Sequence, residues 1–132
     1  MSTPKPMVTV EVHRRFSDLD PLGHVNNVAF HDYLQEARVG LIGDLDGVLG
    51  PGFSQIVVSQ QIRHHRPLPY AREPVRIEVW LESMARASYT LGYRILDNDG
   101  TLAAEATTTL AVIDPDTGRP IRIPDHIRER LT

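Results

Sequence analysis

Apolar and polar residues alternate near the start of the chain, with Val8, Val10 and Val12 on one side and Thr9, Glu11 and His13 on the other. A period of two marks a half-buried strand, so the spacing predicts a first strand within residues 7–16. The Asp20-Pro21 and Leu22-Gly23 steps then break any regular element and predict a loop. Over residues 28–45, Phe30, Leu34, Ala37, Leu41 and Leu45 recur at steps of three and four, which predicts one long amphipathic helix. Gly40 and Gly43 weaken helix propensity there and imply close approach of a packed backbone, and the stretch 46–52 reads as the helix stop.

After the helix the period returns to two. Residues 53–62 predict a strand with a less regular pattern, and the prolines of the stretch 63–70 predict an edge or a loop. Over residues 73–82, Val75, Ile77, Val79 and Leu81 alternate with charged residues and Trp80, and Tyr89, Leu91, Tyr93 and Ile95 repeat the pattern. Asp97-Asn98-Asp99-Gly100 is a hairpin signal whose return strand is 102–113. Residues 114–118 read as a turn, and 124–131 as a short helix begun by Pro124. The order strand, helix, four strands predicts an α+β domain: an antiparallel sheet of about five strands against one buried helix. One domain spans residues 1–132, with 1–6 a loose lead-in. Sheet edges and helix surface left uncovered in so small a domain favour a homodimer or homotetramer.

Composition narrows the chemistry. A chain of 132 residues can bury one core, and it contains no run of about 18 apolar residues able to span a bilayer. Its first residues lack the apolar stretch of a secretory signal, so the expected location is the cytoplasm. The absence of cysteine excludes disulfides, thiolate metal sites and a cysteine nucleophile. A formal net charge of -3 provides no basic field for nucleic acid, although a phosphate-bearing small molecule needs only a few local cations.

The densest polar cluster is Asp18, Asp20, His24, Asn26 and Asn27, between the first strand and the predicted helix. The first turn of a helix has unpaired backbone N–H groups and the positive end of a dipole, which suit a developing oxyanion or a polarised carbonyl. A carboxylate beside it could attack that carbonyl or deprotonate a water that does. On composition alone the ordinary alternative stands: Asp18 or Asp20 as a turn residue, Asn26 or Asn27 as a helix cap.

The segment Phe16-Ser-Asp-Leu-Asp-Pro-Leu-Gly-His-Val-Asn-Asn27, followed by Phe30, Tyr33, Leu34 and Glu36-Ala-Arg38, resembles the signature of the 4-hydroxybenzoyl-CoA thioesterase-like branch of hotdog-fold proteins. It is also similar to the acyl-ACP thioesterases over the same stretch. Arg66-Pro-Leu68 with Tyr70, Ala104-Glu105, Asp114 and Thr117-Gly-Arg-Pro120 extend the resemblance along most of the chain. It implies a hotdog fold, with the sheet wrapped around one long central helix. It also implies an acyl-CoA thioesterase needing no cofactor beyond the coenzyme A of its substrate. The second Asp of the motif, Asp20, is then the catalytic carboxylate, and the N–H of Asn27 polarises the thioester carbonyl. His24 is either catalytic, as in the acyl-ACP branch, or a loop-holding residue. Gly23, Val25 and Asn26 fall at the substrate, and Arg63, Arg66, Arg86 and Ser88 at the phosphates or pantetheine of coenzyme A.

The chain also departs from that pattern. Arg63 and His64 stand where relatives often have Asp-Tyr, and the second catalytic residue of acyl-ACP enzymes has no counterpart, which favours the acyl-CoA branch. Glu36, a rival carboxylate, is expected to be structural, an inward or interface ion-pair partner of Arg38 or of another subunit. His64 and His65 are adjacent on a predicted extended segment and point to opposite faces, so no metal site is expected. Two further readings remain: a hotdog hydratase or dehydratase using His24 with Glu36, and a non-catalytic acyl-CoA-binding protein.

Overall fold

A computed structural model describes residues 6–49 and 54–132, with side chains in the main helix described as far as Val39 and again at Leu41. Five strands, β1 (Val8–Val12), β2 (Ser54–His64), β3 (Val75–Met84), β4 (Ser88–Leu96) and β5 (Leu102–Ile113), form one antiparallel sheet in the order β1-β3-β4-β5-β2. Helix α1 (Asn27–Leu49) follows β1, and α2 (Asp125–Leu131) closes the chain. Short hairpins join β3, β4 and β5, as antiparallel neighbours allow.

Register explains the core. Val8, Val79, Tyr93, Ala106 and Ile62 form one row across all five strands, and Val10, Ile77, Ile95, Ala104 and His64 form the next. Most of these side chains are buried against α1, which presents Ala29, Phe30, Tyr33, Leu34 and Ala37 at helical spacing. The opposite face is polar: Glu78, Arg94, Glu105 and Arg63 make a row of alternating charge, with Arg94 Nε 2.7 Å from Glu78 Oε1. On that face Trp80 lies across Gly92, where an added Cβ would come within 2.5 Å of the indole. Val12, the last residue of β1, gives way to Arg14, whose buried guanidinium donates to Asp97, Asn98 and the carbonyls of Pro69 and Glu73.

Element boundaries differ in four places. β1 ends at Val12, short of the predicted residue 16, because Arg14 turns inward to those partners. β2 continues past residue 62 through Arg63 and His64, which pair with β5, so of the edge or loop expected there it is the edge that forms. β3 is displaced by two residues, to Val75–Met84. α1 runs on to Leu49 through the predicted stop, since context overrides the modest cost of Gly47 and Asp46. Residues 1–5 of the lead-in, Phe53 and residues 50–52 of the predicted stop lie outside the described residues, as does the side chain of Leu45.

Among the described residues no helix is long and apolar enough to cross a membrane.

Candidate active site

The motif folds into a closed loop. Asp20 N–H donates to the His24 carbonyl at 2.8 Å, and Leu19 and Val25 form an isolated bridge. Pro21, with its fixed φ, follows Asp20 in the turn, and Gly23 N–H closes back to the Asp20 carbonyl at 3.0 Å. Gly23 adopts φ +83°, a left-handed conformation that a Cβ disfavours. The Asp20 carboxylate accepts backbone N–H groups from Leu22 at 2.9 Å and His24 at 3.2 Å through Oδ1, which fixes its orientation. His24 is half-buried and bridges to Pro69.

Asp18 has a different part. It is buried, receives Arg15 Nη2 at 3.0 Å and the Tyr33 hydroxyl at 2.7 Å, and its carbonyl accepts the Asn26 N–H. Burial opposes its ionisation, but the hydrogen bonds from Arg15 and Tyr33 overcome this and hold the carboxyl below its ordinary value. The same burial, with the Asp18 charge, raises the Tyr33 phenol.

Asn26 is the helix cap: its Oδ1 accepts the Ala29 N–H at 2.8 Å. The N–H groups of Asn27 and Val28 have no acceptor among the described residues, so the positive end of α1 is open. Asp20, His24, Val25, Asn27, Phe30, His64, His65, Arg66 and Pro67 line one groove of about 280 Å³ at this end. A second groove of about 340 Å³ shares His24, Arg66 and Pro67 and continues to Asp97, Asp99 and Thr101. Larger grooves lie on the polar face of the sheet and beside β1, but neither is lined by any residue of the 16–27 loop, so volume is a poor guide to the chemistry here.

Of the expected site residues, the fold thus brings Asp20, His24, Val25, Asn27 and Arg66 together, with Gly23 and Asn26 shaping the loop and the helix cap. It does not bring in the other three. Arg63 is on the polar face of the sheet, because His64 faces α1 and neighbours in a strand alternate. Arg86 lies in the β3–β4 turn and Ser88 begins β4, at the opposite end of β4 from the Asp97–Gly100 hairpin. Glu36 is exposed and lines the groove beside β1 with His13 and Arg15, so the expected inward pairing with Arg38 is not formed. Arg38 donates instead to Gln60, Tyr93 and Thr108.

His64 is a groove residue that the sequence reading did not single out for the site, and Phe30, one of the motif residues, lines the groove with it. Their rings meet edge to face at 4.7 Å, and burial lowers the His64 pKa, with His31 and His65 adding to the effect. The inward alternation of β2 was the available signal. His65 turns the other way, with Nε2 3.4 Å from Glu105. Among the described residues no group of three or more His, Asp or Glu side chains is arranged to hold a metal ion.

A model of the thioesterase-like superfamily matches residues 14–131. The chain is similar to a thioesterase from Thermus thermophilus, solved in complex with coenzyme A and Zn, at 32% identity and a TM-score of 0.79, covering 93% of this chain and 90% of that one. It is 27% identical over 121 residues to the Bacillus subtilis (strain 168) protein named "Putative acyl-CoA thioesterase YneP", covering 85% of this chain and 83% of the relative. A DHNA-CoA thioesterase from Staphylococcus aureus shares the fold with a TM-score of 0.79 at 22% identity, over 92% of this chain and 84% of that one. The family match takes in the motif loop, α1 and β2 to β5, and the chain therefore belongs to the thioesterase-like superfamily, as a thioester hydrolase.

Proposed function

We propose that this protein hydrolyses an acyl-CoA thioester to a free carboxylic acid and coenzyme A, with Asp20 as the catalytic carboxylate. One observation carries the reading: Asp20, its carboxylate oriented by the loop, and Asn27, at the open N-terminus of a helix, line the same groove. The thioester carbonyl oxygen accepts the Asn27 N–H, which stabilises the negative charge that develops when the carbonyl carbon is attacked. Asp20 either adds to that carbon, expelling the coenzyme A thiolate and leaving a mixed anhydride for water to cleave, or takes a proton from the water that adds. The shared boundary of the two grooves gives coenzyme A a route past His24 and Arg66, with Arg66 as the local cation. The coenzyme A complex of the Thermus relative supports this choice of substrate.

The hydratase reading loses support because His24 and Glu36 line different grooves. We also read the sheet as wrapped around α1 in a hotdog arrangement, and the chain as a homodimer or homotetramer. β2 is an edge strand with Ile56, Val57 and Val58 exposed, a surface that favours pairing with another copy. Light scattering on the purified protein measures that assembly.

Hydrolysis of a panel of acyl-CoAs tests the activity, and a single turnover in ¹⁸O-labelled water separates the two roles of Asp20. Label entering the enzyme carboxylate identifies the nucleophile, whereas label in the product acid alone, with no mixed anhydride trapped by hydroxylamine, identifies the general base. A protein that binds these thioesters without cleaving any of them would contradict the proposal.

A further inference from the structure

Arg14 follows β1 and turns inward, where the residue is 5% exposed and its side chain is covered entirely. Nη1 donates to the Pro69 carbonyl and to Asp97 Oδ1, both at 2.8 Å. Nη2 donates to the Glu73 carbonyl at 2.9 Å and to Asn98 Oδ1 at 2.8 Å. Each arm of the guanidinium thus takes one acceptor from the segment between β2 and β3 and one from the hairpin between β4 and β5. A planar fork with donors on both arms can make this fourfold tie, and a compact ammonium cannot. Nε is buried without a partner, so those four bonds hold the side chain in place at a polar cost of its own.

Both tied segments belong to the second groove, the one that shares His24, Arg66 and Pro67 with the catalytic groove. The first lines it through Pro67 and Pro69 and the second through Asp97 and Asp99, whereas Arg14 does not line it. Pro69 also bridges to His24, and the Leu68 carbonyl accepts the Val25 N–H at 2.8 Å, so the motif loop rests on the segment that Arg14 fixes. Arg14 also pairs with the charge of Asp97. An unpaired carboxylate there would repel the phosphates of coenzyme A.

We infer that Arg14 is a positioning residue for coenzyme A: without lining the groove, it ties together the two segments that do and offsets the charge of Asp97. The inference rests on the acyl-CoA reading above, in which this groove takes the coenzyme A arm. A groove already held in its binding form spares the cost of ordering its walls when the ligand arrives. The effect of Arg14 therefore falls on affinity for coenzyme A more than on the chemical step.

Two measurements test it: calorimetric titration with free coenzyme A, and steady-state hydrolysis of an acyl-CoA beside the matching acyl-N-acetylcysteamine thioester. The truncated thioester keeps the reacting carbonyl but lacks the nucleotide and most of the pantetheine arm. Arg14→Lys keeps the charge and loses the fork, so coenzyme A binds roughly fivefold or more weaker than to the wild type. The ratio of kcat/KM for the acyl-CoA to that for the truncated thioester falls by a similar factor. Asn98→Ala removes one bond of the tie at an exposed residue that does not line the groove, and weakens coenzyme A binding by about twofold or more. It makes the same test if Arg14→Lys does not fold. A purely structural role lowers both kcat/KM values together, so an unchanged ratio would overturn the inference. Unaltered coenzyme A affinity in the folded variants, or no binding of coenzyme A to the wild type, would overturn it as well. Wild-type protein that binds coenzyme A and cleaves neither thioester removes only the proposed reaction, and the affinities then decide the part played by Arg14.

Discussion

The Tyr33 hydroxyl donates a 2.7 Å hydrogen bond to Asp18 Oδ2, fastening the second turn of α1 to the loop that precedes it. Both residues are buried, and Arg15 holds the other carboxylate oxygen. The first Asp of the motif is thus an anchor, and the second is left for the groove. Tyr33→Phe should lower stability by about 1–3 kcal/mol, the cost of losing a buried hydrogen bond to a charged group. Urea unfolding measures it as a lower midpoint with an unchanged slope.

The same anchor sets an acid limit. Because hydrogen bonds hold the Asp18 carboxyl below its ordinary 3.8, its contribution is fully present above that pH and is lost as pH falls through the lower folded value. His64 adds a separate effect: its lowered pKa means that the unfolded chain takes up a proton which the folded chain resists, so stability declines as pH falls below the ordinary 6.5. Unfolding free energies measured against pH should therefore fall in two regions. Asp18→Asn flattens the lower region and His64→Gln the upper.

Gly23→Ala probes the loop backbone alone. Nothing lies within 4 Å of the position its Cβ would take, yet φ is +83°. The expected cost is about 1–2 kcal/mol from the left-handed conformation, with a fall in kcat as the turn that orients Asp20 relaxes. Wild-type stability together with wild-type kcat would show that this turn is not needed.

Much of the sheet was legible because its faces differ so sharply. Along β3 and β4 the inward residues are Val75, Ile77, Val79, Tyr89, Leu91, Tyr93 and Ile95, all fully buried, so the period of two is clean. β2 was harder to bound, because the inward positions at its far end are Gln60, Ile62 and His64, two of them polar. At the site, Asp20, His24 and Asn27 could be read from order alone, since one short segment contains them. The facing of His64 depends on pairing with Ala104, forty residues away, and the neutral surroundings of Arg38 depend on residues from β2, β4 and β5. The first leaves only the alternation of β2 as a local trace, and the second leaves none. Arg38 reads as part of a polar helix face until the sheet is packed against it.

The cap of α1 offers a test of the helix end. Asn26→Ala removes the acceptor for the Ala29 N–H and should destabilise the protein by about 1 kcal/mol, with Asn26→Ser restoring most of it. Fraying of the first turn also misaligns the Asn27 N–H, so kcat for thioester hydrolysis should fall in Asn26→Ala and recover in Asn26→Ser. Thermal unfolding and steady-state rates on the same samples check both.

The most direct test of the account is acyl-CoA hydrolysis by Asp20→Asn, beside Asp20→Ala, with circular dichroism to establish that each variant is folded. Asn keeps an oxygen to accept the Leu22 and His24 N–H groups but can neither attack the carbonyl nor take a proton from water. The account predicts that kcat falls by roughly 10²–10⁴-fold in both folded variants; hydrolysis at the wild-type rate in either would contradict it.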